Sequence, residues 1–205
     1  MPDLLDAIKG RRSVRKYQTR EVPKEEVEEV LTAAGWAPSA HNAQPWRFLV
    51  LADGGVKRKL ALAMADAWAA DLAGGGLALD EQTRKESVER FSNAPMLILA
   101  CLTMEGMEKF SDERREKVEH DLAMQSLGAA IENLLLAAHA RDLGACWFCA
   151  PSFCKDAVRK VLKIPVETEP EALIALGYSA ENPPTSKKKR LSEYCFLDKW
   201  GNRLV

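Results

Sequence analysis

The spacing of apolar residues along the chain predicts six helices and three strands. Apolar positions three and four residues apart, bounded by capping residues, glycines and prolines, predict helices over residues 4–10, 23–35, 56–72, 81–91, 112–141 and 152–162. Short continuous apolar runs predict buried strands over 47–52, 95–103 and 171–178. Residues 11–20 lack a helical stripe and are predicted to be extended or a loop. Prolines and other turn-forming residues predict a loop over 36–46. Three consecutive glycines predict a flexible break over 74–76, and we interpret this break as a hinge or the edge of a lid.

The order of these elements limits the fold class. Strands and helices do not alternate regularly, which disfavours a Rossmann-type parallel sheet. No Gly-x-Gly-x-x-Gly follows a predicted strand, so the sequence lacks the usual dinucleotide fingerprint. No domain boundary is visible, and we expect one domain over residues 1–205.

Composition and charge exclude several classes of protein. The chain is 47% hydrophobic, which is ordinary for a protein with a packed core. Its longest apolar run, 96–102, is far below the ~18 residues needed to span a bilayer, so we expect no membrane partner. Five cysteines, an odd number, favour reduced thiols and a cytoplasmic location.

Cationic side chains are concentrated at two distant places. Residues 9–20 contribute +6 and residues 187–190 contribute +4, and because the net charge is −1, the rest of the chain carries −11. The near-neutral total argues against a general nucleic-acid binder.

Three segments carry candidate chemistry. Residues 11–15, Arg-Arg-Ser-Val-Arg, suit a phosphate, since guanidinium forks bind it bidentately and a hydroxyl adds a donor; a solvated basic loop or an RNA contact remains open. Residues 38–46 offer Ser, Asn and Gln groups between prolines, which suits the polar edge of a planar ring; a turn-rich connector remains open. Residues 144–151 contain Cys146-x-x-Cys149 without a second pair at that spacing, which disfavours zinc or dithiol chemistry. His41, His120 and His139 lack metal-ligand spacing, so no metal site is predicted.

These pieces, in this order, resemble the FMN-dependent nitroreductase family over essentially the whole chain. The resembling segments are 11–15 (Arg-Arg-Ser-Val-Arg), 37–48 (Ala-Pro-Ser-Ala-His-Asn-Ala-Gln-Pro-Trp-Arg-Phe), 137–147 (Ala-Ala-His-Ala-Arg-Asp-Leu-Gly-Ala-Cys-Trp), 175–178 (Ala-Leu-Gly-Tyr) and 199–201 (Lys-Trp-Gly). Within the family, the tail and the loop resemble small members such as the flavin domain of coenzyme F420 glutamyl ligases. The resemblance implies an α+β fold with a mostly antiparallel central sheet flanked by helices, and a C-terminal tail that reaches a partner subunit.

The resemblance also implies an FMN site at the interface of a homodimer. Arg11 and Ser13 would hold the phosphate, Arg12 would lie beside the phosphate or ribityl chain, and Arg15 would reach the N1–O2 edge of the ring. The neighbouring subunit would contribute its loop, through Pro38, Ser39, Ala40, Asn42 and Gln44. Backbone groups near Cys146 and Trp147 would line the ring, and Lys188 and Arg190 of the tail would close on the phosphate. The chain lacks the Glu-Gly pair that one branch of the family places near flavin N5; Cys149-Ala150-Pro151 stands there instead.

The function that this resemblance implies is ping-pong redox chemistry carried out on the flavin. NADH or NADPH would donate a hydride, and a nitroaromatic, quinone or activated alkene would accept the electrons, with no protein acid or base required. Two alternatives stay open: a specialised flavoenzyme (an F420-related reductase, or a flavin-cleaving or dehalogenating member) and a flavin-binding protein without turnover. A nucleic-acid binder would rest on the same Arg and Lys clusters.

Overall fold

Four antiparallel strands form the centre of the molecule in a computed structural model, which describes residues 3–205. In chain order the elements are α1 (Leu4–Gly10), α2 (Lys24–Gly35), β1 (Trp46–Leu51), α3 (Gly54–Gly74), α4 (Glu81–Ser92), β2 (Met96–Thr103), α5 (Glu113–Ala140), β3 (Gly144–Phe148), α6 (Lys155–Leu162) and β4 (Thr168–Gly177). Short 3-10 helices lie at Ala40–Asn42, Ala150–Phe153 and Leu191–Glu193. The strand order is β1-β2-β4-β3, so β1 and β3 are the two edges.

Helices cover both faces of the sheet, which explains the continuous apolar run in β2. Its even-numbered residues Ile98, Ala100 and Leu102 enter a core with α2 and α5. Its odd-numbered residues, among them Leu97 and Leu99, enter a second core with α3, α4 and α6. Because successive side chains of a strand point to opposite faces, a strand covered on both sides must be apolar throughout. Each fully buried Leu or Ile contributes about 1.5–3 kcal/mol to stability.

The predicted α+β fold with an antiparallel central sheet is confirmed, and so are the six helices, although some boundaries differ. The helix predicted from residue 56 begins at Gly54, where the Asp53 carboxylate accepts from the Val56 N–H at 2.8 Å. The cap predicted at Ser152 is wrong: its hydroxyl donates to the Glu171 carbonyl oxygen at 2.7 Å, and α6 starts at Lys155. The prediction that the tail reaches a partner subunit stays a prediction.

The strand β3 was missed by the sequence reasoning. Its five residues begin with the helix-ending Gly144 and continue with two further small side chains, so the local pattern does not indicate a strand. What forms it is pairing with β4, from Gly144 opposite Gly177 to Phe148 opposite Leu173. This edge strand organises the candidate site.

Candidate functional site

The basic segment, residues 11–15, lies along the free edge of β3. Ser13 forms a parallel bridge with Ala145, and the Val14 N–H donates to the Ala145 carbonyl oxygen at 3.0 Å. The Val14 side chain is buried, and because side chains alternate along extended backbone, Arg11, Ser13 and Arg15 share the opposite side. The predicted extended conformation is confirmed, and it gathers two guanidiniums and a hydroxyl on one side of the backbone.

Contacts behind the segment fix its position. The Tyr17 hydroxyl donates to the Val14 carbonyl oxygen at 2.5 Å and lies 3.2 Å from the Ala175 carbonyl oxygen in β4. The Glu181 carboxylate accepts from the backbone N–H of Arg15 at 2.6 Å, which lowers the pKa of Glu181. The segment is thus tied to the sheet and to the start of the C-terminal tail.

The two arginines next to the sheet differ in how they are bonded. Arg12 donates to the Lys9 carbonyl oxygen at 2.7 Å and to the Thr185 hydroxyl at 2.5 Å, so it links the segment to the tail. The buried Nε of Arg11 has no hydrogen-bond partner within residues 3–205, and the Glu132 carboxylate lies 3.7 Å away. A buried unsatisfied donor costs about 1–3 kcal/mol, so an acceptor closer than the Glu132 carboxylate would stabilise the Arg11 guanidinium.

Positive charge also gathers around Cys146 of β3. Burial raises the pKa of the Cys146 thiol, while Arg15, a hydrogen bond with Ser13, and Arg90 of α4 act in the opposite direction. Sequence reasoning missed Arg90, because only the packing of α4 against this part of the sheet brings it near the basic segment.

An aromatic cavity of about 560 Å³ lies beside this cluster, between α3, α4, β3 and the 3-10 helix Ala150–Phe153. Its lining is mostly apolar and aromatic: Trp68, Phe91, Trp147, Phe148 and Phe153, with Arg90 at its wall. Cavities of this size with few polar groups are typical small-molecule sites. Of the predicted ring contacts, Trp147 lines this cavity. Trp68 and Phe153 carried no signal in the sequence that separates them from packing residues.

The loop 38–44 lies at the other edge of the sheet. Its Ala40 N–H donates to the Ser126 hydroxyl of α5 at 3.1 Å, and the Gln44 N–H donates to the Ser39 hydroxyl at 3.1 Å. Asn42 and Gln44 have positive φ angles of 53° and 49°. The loop leads into β1, and β2 and β4 separate β1 from β3, a width of roughly 14 Å at ~4.8 Å per strand spacing. One chain therefore does not bring this loop to Cys146.

The second cationic cluster lines a separate surface cavity of about 530 Å³. Lys188 and Arg190 lie there with Arg203 and Glu193, whose carboxylate accepts from the Arg190 N–H at 2.7 Å. Among the described residues, no hydrogen bond or ion pair joins 187–190 to Arg11 or Arg15; the tail contacts the basic segment through Glu181 and Thr185 instead. That the two clusters share one phosphate stays a prediction.

Comparisons with known proteins identify the family. The model of the nitroreductase family matches residues 8–178. The chain belongs to the nitroreductase family. This nitroreductase-family chain is 34% identical over 185 residues to a protein of Methanothermobacter thermautotrophicus provisionally named NADH dehydrogenase/NAD(P)H nitroreductase, a match covering 89% of the chain and 81% of the relative. It is 29% identical over 188 residues to the iodotyrosine deiodinase of Thermotoga neapolitana, covering 90% and 92%.

Solved structures agree with the family assignment. A crystal structure from Desulfovibrio desulfuricans, provisionally named a nitroreductase and in complex with FMN, has a TM-score of 0.70 and 29% identity to this nitroreductase-family chain, covering 98% of it and 99% of the other. The predicted family is thereby confirmed, while the narrower resemblance to the flavin domain of F420 glutamyl ligases stays a prediction. In the part of the chain that the structure describes, no helix is both long and apolar enough to cross a membrane.

Proposed function

We propose that the protein is an FMN-dependent oxidoreductase that takes electrons from NADH or NADPH and passes them to a small-molecule acceptor. The observation that carries this proposal is the basic segment docked on β3 next to an aromatic cavity. When bound, FMN supplies the redox chemistry, accepting a hydride from the nicotinamide and reducing a nitroaromatic, quinone or activated alkene. The relatives named as NAD(P)H nitroreductases support this assignment.

The residues present fit the phosphate of FMN. The buried Arg11 Nε has no hydrogen-bond partner among residues 3–205, and a phosphate oxygen closer than the Glu132 carboxylate would satisfy it by a charge-assisted hydrogen bond. The Ser13 hydroxyl on the same side of the backbone would add a neutral donor. Arg12, bonded to Thr185, would hold the tail against the phosphate-binding segment. A phosphomonoester carries nearly two negative charges, and this cluster compensates them where the rest of the chain is acidic.

The cavity fits the isoalloxazine ring. Aromatic walls can pack against the faces of a planar ring. Arg90, at the cavity wall, and Arg15, in the basic segment, both place positive charge near Cys146. Cations at the N1–O2 edge favour the reduced flavin, since negative charge develops there. These arginines would therefore raise the tendency of bound FMN to accept a hydride, and the enclosing aromatic side chains would limit water around the ring.

A homodimer would complete the site. Loop 38–44 offers amide groups of Asn42 and Gln44, yet it lies at the edge of the sheet opposite the basic segment. A second copy would supply its own loop to this chain's FMN, as the family resemblance implies. Trp36 is 83% exposed and Trp200 is 90% exposed, which is typical of surfaces that another chain covers. We propose that the tail, with Lys188 and Arg190, lies along that interface.

The decisive experiment is a visible spectrum of the purified protein, FMN titration, and anaerobic reduction by NADH and by NADPH. We expect flavin absorbance, reduction by at least one nucleotide, and rapid reoxidation by a nitroaromatic or quinone. Arg11→Ala should weaken FMN binding roughly 10- to 100-fold, since a hydrogen bond to a charged group contributes about 1.5–3 kcal/mol. Arg114→Ala, which removes an exposed guanidinium at the start of α5, is the matched control and should bind FMN like wild type.

Two results would contradict the proposal. If the wild-type protein neither carries FMN when purified nor binds added FMN, it is not an FMN-dependent oxidoreductase. Protein that binds FMN and is reduced, but is not reoxidised by any acceptor tested, would be the flavin-binding protein without turnover.

Reductive dehalogenation is a second candidate. The match to an iodotyrosine deiodinase covers 90% of the chain, which favours testing a halogenated phenol as an acceptor. Halide release from iodotyrosine by the reduced protein, faster than nitroaromatic reduction, would favour this activity over the general one.

A further inference from the structure

Three side chains with metal-binding atoms meet near the β1 edge of the sheet, around the loop that a second copy would supply to this chain's flavin in the proposed dimer. His41 comes from loop 38–44, Glu108 from the loop between β2 and α5, and Glu119 from α5. One donor atom from each lies within 4.8 Å of the other two. The sequence spacing gave no sign of the cluster, because its members come from three separate elements.

One pair of donor atoms has the spacing found around a small divalent cation, and the third donor must move to join it. His41 Nε2 lies 3.2 Å from Glu119 Oε2, whereas Glu108 Oε1 lies 3.9 Å from the other ring nitrogen, Nδ1, and one ion can bind only one of these two nitrogens. Ligands about 2.0–2.1 Å from a tetrahedral zinc ion stand roughly 3.3 Å apart. His41 and Glu119 already have this separation. Glu108 has a 60% exposed side chain, so rotation about its own bonds can bring its carboxylate to the same point.

Within the described residues, no lysine or arginine compensates the two carboxylates of the cluster. The Glu119 side chain is 6% exposed, and within residues 3–205 neither Glu108 nor Glu119 has a Lys or Arg within 4.0 Å. Besides His41, the hydrogen-bond donor that Glu119 has among residues 3–205 is the Glu108 N–H, at 3.3 Å. With a neutral imidazole the cluster carries −2, and a buried carboxylate is costly unless a cation compensates it.

A second His–Glu pair, between α5 and β4, shows what a balanced arrangement looks like. His120 Nε2 lies 3.1 Å from the Glu169 carboxylate, and the Lys155 ammonium lies 2.5 Å from the other oxygen of that carboxylate. There the Lys155 ammonium of α6, which is permanently charged, compensates the carboxylate. At His41, a second carboxylate stands where the other cluster has a lysine.

We propose that His41, Glu108 and Glu119 bind one divalent transition-metal cation of the zinc type, with water completing its coordination. One imidazole nitrogen and two carboxylate oxygens are a donor set that such ions accept. The ion has a positioning role: it fastens loop 38–44 to α5 and to the loop holding Glu108. These two loops already touch, since a Cβ at Gly106 would stand 3.3 Å from the Ala43 Cβ.

The test uses wild-type protein stripped with a chelator, dialysed, and titrated with ZnCl2 by calorimetry, with metal content measured after removal of free ion. We expect about one zinc per chain and a raised midpoint of thermal unfolding, since a ligand that binds only the folded state stabilises it. Co2+ should give visible absorption bands of a bound ion. Glu119→Gln and His41→Asn should each lower zinc affinity at least about tenfold, because each removes a coordinating atom or its charge.

His120→Asn is the matched control, since it removes an imidazole from the balanced cluster and should leave zinc binding unchanged. Sub-stoichiometric zinc in wild type, or equal binding by His41→Asn and wild type, would overturn the proposal. An NMR spectrum that shows a protonated His41 imidazole at neutral pH, unchanged by added zinc, would also overturn it. That result would mean that His41 forms only an ion pair with the carboxylates. If Glu119→Gln fails to fold, His41→Asn decides, because the His41 side chain is 36% exposed. FMN content measured in parallel separates this question from the oxidoreductase proposal.

Discussion

Replacing Gly144 by alanine tests how the basic segment is positioned. A Cβ at Gly144 would stand 2.8 Å from Val14 Cγ1 and 2.9 Å from Val14 Cβ. Because Val14 Cβ is itself too close, a change of rotamer cannot relieve the contact, and the backbone of residues 13–15 must retreat. To reach the ordinary contact distance of 3.4 Å, Val14 Cβ must move by about 0.5 Å. Overpacking of this kind costs about 1–3 kcal/mol.

The displacement has a second consequence at the proposed phosphate site. The Val14 N–H donates to the Ala145 carbonyl oxygen at 3.0 Å, and this hydrogen bond lies between Ser13 and Arg15. If this hydrogen bond is lost, positioning of Ser13 and Arg15 loses about 1 kcal/mol of stabilisation. The affinity for FMN should then fall roughly fivefold. Urea unfolding with an unchanged slope measures the loss of stability, and quenching of flavin fluorescence measures the affinity.

Gly128→Ala in α5 is the matched control. A Cβ there would meet only Trp147 Cη2, at 4.0 Å, and alanine is favoured over glycine in a helix by about 1 kcal/mol. We therefore expect Gly128→Ala to be as stable as wild type or more so. If Gly144→Ala unfolds at the wild-type urea concentration and binds FMN normally, the close packing of the segment on β3 does not determine its position.

Three further predictions concern single groups. Lys57→Ala should lower the free energy of unfolding by about 2–4 kcal/mol, measured by urea unfolding. The reason is that the buried Lys57 ammonium donates to two carbonyl oxygens just after α4, at 2.6 and 3.0 Å. Lys59→Ala, on the exposed side of α3, is the control and should have little effect. Cys149 is exposed and should react first with a disulfide reagent, whereas burial raises the pKa of Cys101 to about 12, so Cys101 should react only on unfolding; equal rates would contradict this. The backbone N–H of Arg15 lowers the pKa of Glu181 in the folded state, so its stabilising effect is present above the ordinary value of 4.5 and disappears as the pH falls through the lower, folded-state pKa. Glu181→Gln should therefore be less stable than wild type at pH 7 and equally stable in strong acid.

The local sequence pattern was sufficient to predict a helix or strand where the residues of that element decide its structure. The caps at Asp3, Asp53 and Asp80 and the apolar run of β2 follow from nearest neighbours in the sequence, and the corresponding elements were predicted. The strand β3 was not, because pairing with β4, some thirty residues later, forms it. The prediction of a cap at Ser152 failed for the same reason, since a distant contact decides it. The Ser152 hydroxyl donates to the Glu171 carbonyl oxygen on β4.

The sequence by itself determined that positive charge is concentrated in the basic segment and in the tail, and that the segment is not helical. It also determined the family, through motifs whose order is read along the chain. Only the tertiary structure decided which groups share a site. It placed Arg90 with Arg15 and Trp68 in the cavity with Trp147, and it put loop 38–44 at the opposite edge of the sheet. The physical reason is that hydrogen bonding between strands and packing of helices on a sheet join residues far apart in the chain, and no local spacing records those contacts.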